Sequence, residues 1–255
     1  MSQYSTLKNA PIEEAIIGFI VPSEEHKTYD TIKACAEMFQ TLSESYLFLN
    51  DIKTREIKVE IGENPQLYQG DEKPVGLVLR SEHTNNILEL VTDRFSIHKL
   101  KPYTNWETFQ SEFKEAFDIY QKYVGIKKVE SLSIRYINKF TVPLNNWDEY
   151  INIQPGILLE TKETSDLDVQ VTEVTSRNIL SSEILEASAE VITILKPNGR
   201  DELLDVLIDI DVRSIKSITS FNFKAFEATF KQLRHFKNHI FFANVPKAEE
   251  LFHVS

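Results

Sequence analysis

The chain has a single cysteine, Cys35, among its 255 residues. A lone thiol excludes an internal disulfide framework and any cysteine-rich zinc centre. Such sparing use suits a reducing compartment. Glycine is nearly as scarce, at 7 residues, which argues against the glycine-lined loops that cradle phosphates. Neither a Walker loop, a dinucleotide fingerprint nor a G-x-S-x-G elbow occurs. Long apolar runs are also missing. The N-terminal stretch MSQYSTLKNAPIEEAIIGF has no basic region leading into an apolar signal core. No run approaches the ~20 residues of a membrane span. These absences lead to the expectation of a cytoplasmic protein without a membrane partner and without a cofactor.

Positive charge is the remaining shortage. Against 39 Asp and Glu stand 28 Lys and Arg, a net charge of −11. This opposes non-specific attraction to nucleic acid, which is not expected as a partner. The imbalance is local. From Glu160 to Asp211 there are 13 acids and 4 bases, whereas Val212 to Ile240 holds 6 bases and 1 acid.

What is present is an ordinary globular composition, 42% hydrophobic with 16 Phe, long enough for a sizeable core. EEAIIGFIV (13–21) reads as a strand. Ile32, Cys35, Ala36, Phe39 and Leu42 recur at helical spacing. SYLFLND and REIKVEI read as a hairpin or short strands. PVGLVLRSE and NILELVTDRFSIHKL follow as two strands around an Asn85–Asn86 turn, with Asp93 and Arg94 at a bulge. Thr104 and Glu107 match a capping box ahead of a helix striped by Trp106, Phe109, Phe113, Phe117, Tyr120 and Val124, with Gly125 as its stop. LSIRYINKF (132–140) is the next strand. Then come GILLETK, LDVQVTEVTSR, EILEASAEVITIL and ELLDVLIDIDVR, the last two around an Asn198–Gly199 turn. A second long helix carries Phe223, Phe226, Phe230, Leu233 and Ile240. Strands in succession, not alternating with helices, predict an α+β fold with antiparallel sheet and two long Phe-rich helices. The similar order of elements raises two β-meander-plus-helix halves, 1–145 and 146–255, joined at PLNNWDEYINIQP and forming one compact unit.

APIEEAIIGF (10–19), RYIN (135–138), DRFSIHKLKPYTNWETFQSEF (93–113), VLIDID (206–211) and LRHFKNHIFF (233–242) occur in an order that resembles a family of uncharacterised bacterial proteins of about this length, distributed sporadically across genomes. Lys101–Pro102–Tyr103 matches the aromatic or proline usual there before the first long helix. The resemblance implies a single structural unit and no catalytic residue. Its scattered occurrence points towards mobile, defence- or toxin-related genes.

Three constellations are candidate sites. Alternation places Tyr136 and Asn138 with the apolar residues of their strand and Arg135 on the other face. Asn138 then satisfies nearby backbone and Arg135 pairs across the sheet, or the three contact a ligand. Asp209 and Asp211, with Glu186 and Glu190 of the preceding strand and Asp168 of LDVQVT, share a face that points away from the basic final helix. That face is solvated surface, a seat for a basic protein, or a metal site. His235 and His239 are four apart on a helix and within reach of one metal, though Phe236 breaks the H-E-x-x-H pattern. Cys35 reads as a buried small hydrophobe. The expectation is a non-enzymatic interaction or regulatory protein that uses the acidic face. The alternatives are a metal-dependent hydrolase or nuclease, and a small-ligand regulator with a pocket between sheet and helices.

Overall fold

Period-two burial decides the sheet. In β1 (Ile12–Ile20) Ala15, Ile17 and Phe19 are buried, while Glu14, Ile16 and Ile20 remain partly exposed. One side of the strand is therefore a core face. The computed structural model describes residue 4 and residues 6–43, 46–60, 66–153, 172–199, 202–219 and 222–254. After β1 come α1 (Tyr29–Ser43), β2 (Tyr46–Glu60), β3 (Gln66–Ser81), β4 (Asn86–Val91), β5 (Arg94–Leu100), α2 (Trp106–Val124) and β6 (Ser131–Pro143). Then follow β7 (Val174–Ser182), β8 (Ala187–Asn198), β9 (Leu203–Ser214), α3 (Phe223–Asn244) and the short α4 (Ala248–Phe252). The nine strands form one antiparallel sheet in the order β2-β3-β4-β5-β1-β6-β9-β8-β7. The protein is thus α+β around an antiparallel sheet. No described helix is long and apolar enough to cross a membrane.

Several local expectations are corrected. SYLFLND and REIKVEI are one continuous strand, β2, hairpinned with β3. Register shifts beside Phe48, Ile52 and Arg55 absorb the interruptions in its pattern, as bulges do. NILELVTDRFSIHKL is two strands, because the chain reverses at Thr92–Asp93 and pairs Val91 with Arg94. The cap of α2 is Asn105, whose Oδ1 accepts from the Thr108 N–H at 2.8 Å, one residue past the predicted Thr104. Gly125 ends α2 at φ 66°, a left-handed conformation that glycine adopts without a Cβ clash. GILLETK and residues 167–171 of LDVQVTEVTSR, Asp168 among them, lie outside the described residues.

A single apolar cluster joins alternate residues of the sheet to the buried sides of α1, α2 and α3. Val206, Ile208, Ile210 and Val212 of β9 are fully buried in it, as are Phe226 and Phe230 of α3. Phe113 stands between the two long helices, with ring centroids 5.4 Å from Phe230 and 6.0 Å from Phe95 of β5. Each such ring contributes roughly 1.5–3 kcal/mol by burial. Cys35 is part of this core. Burial pushes its thiol up to about 12, which keeps it protonated and unreactive. Helices therefore occupy one face of the sheet, and the opposite parity of every strand forms a second face.

Candidate functional site

That second face collects most of the predicted acids, and it also supplies their counter-ions. Arg135 on β6 sits opposite Asp211 on β9 in register, and its guanidinium grips the neighbouring Asp209 through two bonds. Nε donates to one carboxylate oxygen at 2.8 Å and Nη2 to the other at 2.5 Å. Asp209 is the more enclosed partner, with 11% of its side chain exposed against 42% for Arg135. Arg213 donates twice to one oxygen of Asp211. Arg177 on β7 donates to Glu190 on β8 at 2.5 Å, a bond that holds the Glu190 carboxyl below its ordinary range. Glu190 and Asp211 are register partners, and such a like-charged pair costs stability unless cations intervene. The three arginines supply those cations. Further across, His98 bonds Glu14 at 2.7 Å and Ser96 at 3.1 Å, and its hydrogen bond lowers the Glu14 carboxyl. Between these pairs lie half-exposed Ile16, Ile137, Ile192, Ile194 and Leu207.

Glu186 departs from the expected arrangement. It precedes β8 at φ 49°, so strand alternation does not carry its side chain onto the face with Glu190. Its carboxylate pairs with Lys216 at the sheet's end. His235 and His239 also part company with the aspartates. They lie on α3, across the sheet from Asp209 and Asp211, where the Tyr4 hydroxyl meets His239 Nδ1 at 2.7 Å. Among the described residues, no group of three His, Cys, Asp or Glu side chains is placed to hold a metal ion.

Tyr136 and Asn138 turn the other way, into a cleft on the helix side. The Asn138 amide donates to the backbone oxygens of Tyr136 at 3.3 Å and Ile208 at 3.1 Å. It does so beside the bulge where β1 and β6 change register. Among the described residues nothing donates to its Oδ1. The cleft measures about 190 Å³ and is bounded by the start of α2, the strand β6, the last turns of α3 and the N-terminal segment. Leu7, Pro11, Trp106 and Phe241 supply apolar walls. The Tyr103 and Tyr136 hydroxyls are 3.0 Å apart and hydrogen-bonded. Burial pushes Tyr103 up to about 12 and raises Tyr136 well above its ordinary value, so both remain neutral. One of the two O–H groups is left free to donate to a guest.

Two cations complete the cleft, and neither figured among the predicted contacts. Arg234 lies over the Trp106 ring at 5.5 Å and reaches Glu107 at 3.3 Å. Lys237, half-buried, holds its Nζ 4.1 Å from the Tyr136 ring centroid. Burial, reinforced by the positive Arg234 one turn away, brings its amine down to about 7. A signal for Lys237 existed in the sequence. It falls on the buried stripe of Phe226, Phe230, Leu233 and Phe241, where helical spacing asks for an apolar residue. Fold and site together define an α+β single-sheet protein with a small polar cleft under its helices. No protein-family model and no curated protein matches the chain.

Proposed function

We propose that the protein is a non-enzymatic regulator that binds a compact anion in the cleft between β6, α2 and α3. The observation that carries this reading is the convergence of Lys237 and Arg234 on a cleft whose only acid on the α2 side, Glu107, is already engaged by Arg234. The first turn of α2 adds the positive end of a helix dipole, and the Tyr103–Tyr136 pair offers one free O–H. Titration calorimetry with lactate and with inorganic phosphate tests it. Saturable binding is expected, and Arg234→Met should weaken it by about tenfold, the loss of one charged hydrogen bond. Absence of binding by both anions, or equal affinity in the variant, refutes the cleft as a ligand site.

A second reading keeps the expected protein partner. The half-exposed aliphatics of the helix-free face, set between ion pairs, favour it. Because its carboxylates are already matched by arginines, the partner would offer mixed apolar and polar surface, not merely basic charge. Pull-downs from the native cell with Ile137→Lys as bait should lose the partner. Unchanged recovery counts against this face. The chain is also read as two related halves within the resembled family. Supporting this, β1 pairs with β5 and β6 with β9, and each meander leads into a long helix capped by an asparagine, Asn105 or Asn222.

A further inference from the structure

We propose that Lys237 is an amine nucleophile that reversibly captures a small carbonyl compound bearing a carboxylate, forming an imine in the cleft; this rests on the cleft being a ligand site. The contrast with Lys99 carries the argument. Lys99 is also enclosed on the helix side of the sheet, and its Nζ is tied to both Glu112 oxygens at 2.8 and 3.0 Å and to the Thr84 carbonyl at 2.7 Å. That is the usual settlement for a buried ammonium, which must be paired to offset its lost hydration. Lys237 has none of this. Among the described residues no carboxylate or carbonyl accepts from it. Its Nζ sits over the Tyr136 ring from β6, and it shares the cleft with Tyr103 from the segment before α2, Tyr4 from the N-terminal segment and Arg234 from its own helix. Among the described residues the one carboxylate lining the cleft, Glu107 on α2, faces Arg234. The face of the Tyr136 ring offers the ammonium a cation–π contact, but lost hydration and the neighbouring Arg234 guanidinium work against the charged form and favour the free amine. The low value of about 7 agrees with this. Desolvated lysines next to another cation are the ones that act as nucleophiles on carbonyl carbon.

The step balances without an oxidant or reductant. The Nζ lone pair attacks the carbonyl carbon and the C=O π pair moves onto oxygen, which takes up a proton. The resulting carbinolamine expels that hydroxyl as water while nitrogen forms the C=N bond. Both amine hydrogens leave in the water, and hydrolysis reverses the sequence. Arg234 and the first turn of α2 hold the guest's carboxylate, and the tyrosine pair offers its free O–H to the carbonyl oxygen. A 2-oxo acid of a few carbons fits the cleft's size and charge.

The experiment uses pyruvate as the carbonyl probe and lactate as its carbonyl-free counterpart. The protein is incubated with pyruvate at pH 7.5, reduced with borohydride, and analysed by intact mass and peptide mapping. One dominant adduct is expected on Lys237, roughly tenfold or more above any other lysine, because an ordinary lysine with pKa ~10.4 is almost wholly protonated there. The extent of capture should rise with a midpoint near pH 7. Lys237→Arg, checked for folding by circular dichroism, should lose the adduct, and Lys231→Arg on the exposed side of α3 should keep it. If lactate and pyruvate bind but no adduct forms at Lys237, the imine is refuted and the binding reading stands. Should neither bind, both readings fall. Adducts spread evenly over surface lysines also refute the inference.

Discussion

Replacing Phe113 by alanine lowers the unfolding free energy by about 3–5 kcal/mol. The ring is fully buried and touches both β5 and α3, alongside Tyr120 against β5 and Trp106 and Phe117 against α3. It also lies 6.0 Å from Phe117 and 6.4 Å from Phe223. Truncation removes the ring's own burial and leaves a cavity among rings that cannot collapse, since Phe95, Phe117 and Phe230 are anchored on separate elements. Phe113→Leu retains most of the volume and should cost less than half as much. Urea unfolding followed by far-UV circular dichroism measures both. A loss below about 1 kcal/mol for the alanine variant, the scale of a surface substitution, would show that the helices are not joined through this residue.

The second large effect is electrostatic. Glu112→Ala is expected to destabilise by about 3–5 kcal/mol, because it leaves the Lys99 ammonium enclosed without its counter-charge. Glu112 also accepts from the Asn86 amide at 3.2 Å, and among the described residues Asn86 Oδ1 is already buried without a partner, so the deletion strands a second polar group. Breaking one member of such a pair costs more than removing both. The double variant Lys99→Met with Glu112→Leu should therefore recover most of the loss. The same unfolding measurement decides it. If the double variant is as unstable as Glu112→Ala, the cost lies in packing around α2 and not in the unpaired charge.

Much of the architecture was legible because it follows from local periodicity. The stripe Phe109, Phe113, Phe117, Tyr120 repeats at helical steps, so α2 could take no other secondary structure without exposing its rings. Alternation in VLIDIDV puts Val206, Ile208 and Ile210 on one side and Asp209 and Asp211 on the other, where the structure has them. The failures are equally physical. Asp93 lies in a chain reversal with Thr92, and Arg94 already starts β5; the bulge reading failed because a tight turn and a bulge use the same polar residues. Glu186 left its predicted face because alternation stops where the strand does.

The candidate site divides along the same line. Within continuous strands and helices, sequence alone determined which side chains share a face, and it marked Asn138 as a polar residue among apolar neighbours, since both depend only on the two- and 3.6-residue repeats of strand and helix. Tertiary structure decided which of those groups meet. Arg135 finds Asp209 across 74 positions of chain because β6 and β9 adopt one particular register. Lys237 and Tyr136 share a cleft because α3 docks along β6. Register and docking are set by how the whole core packs, and no local pattern in the chain encodes them.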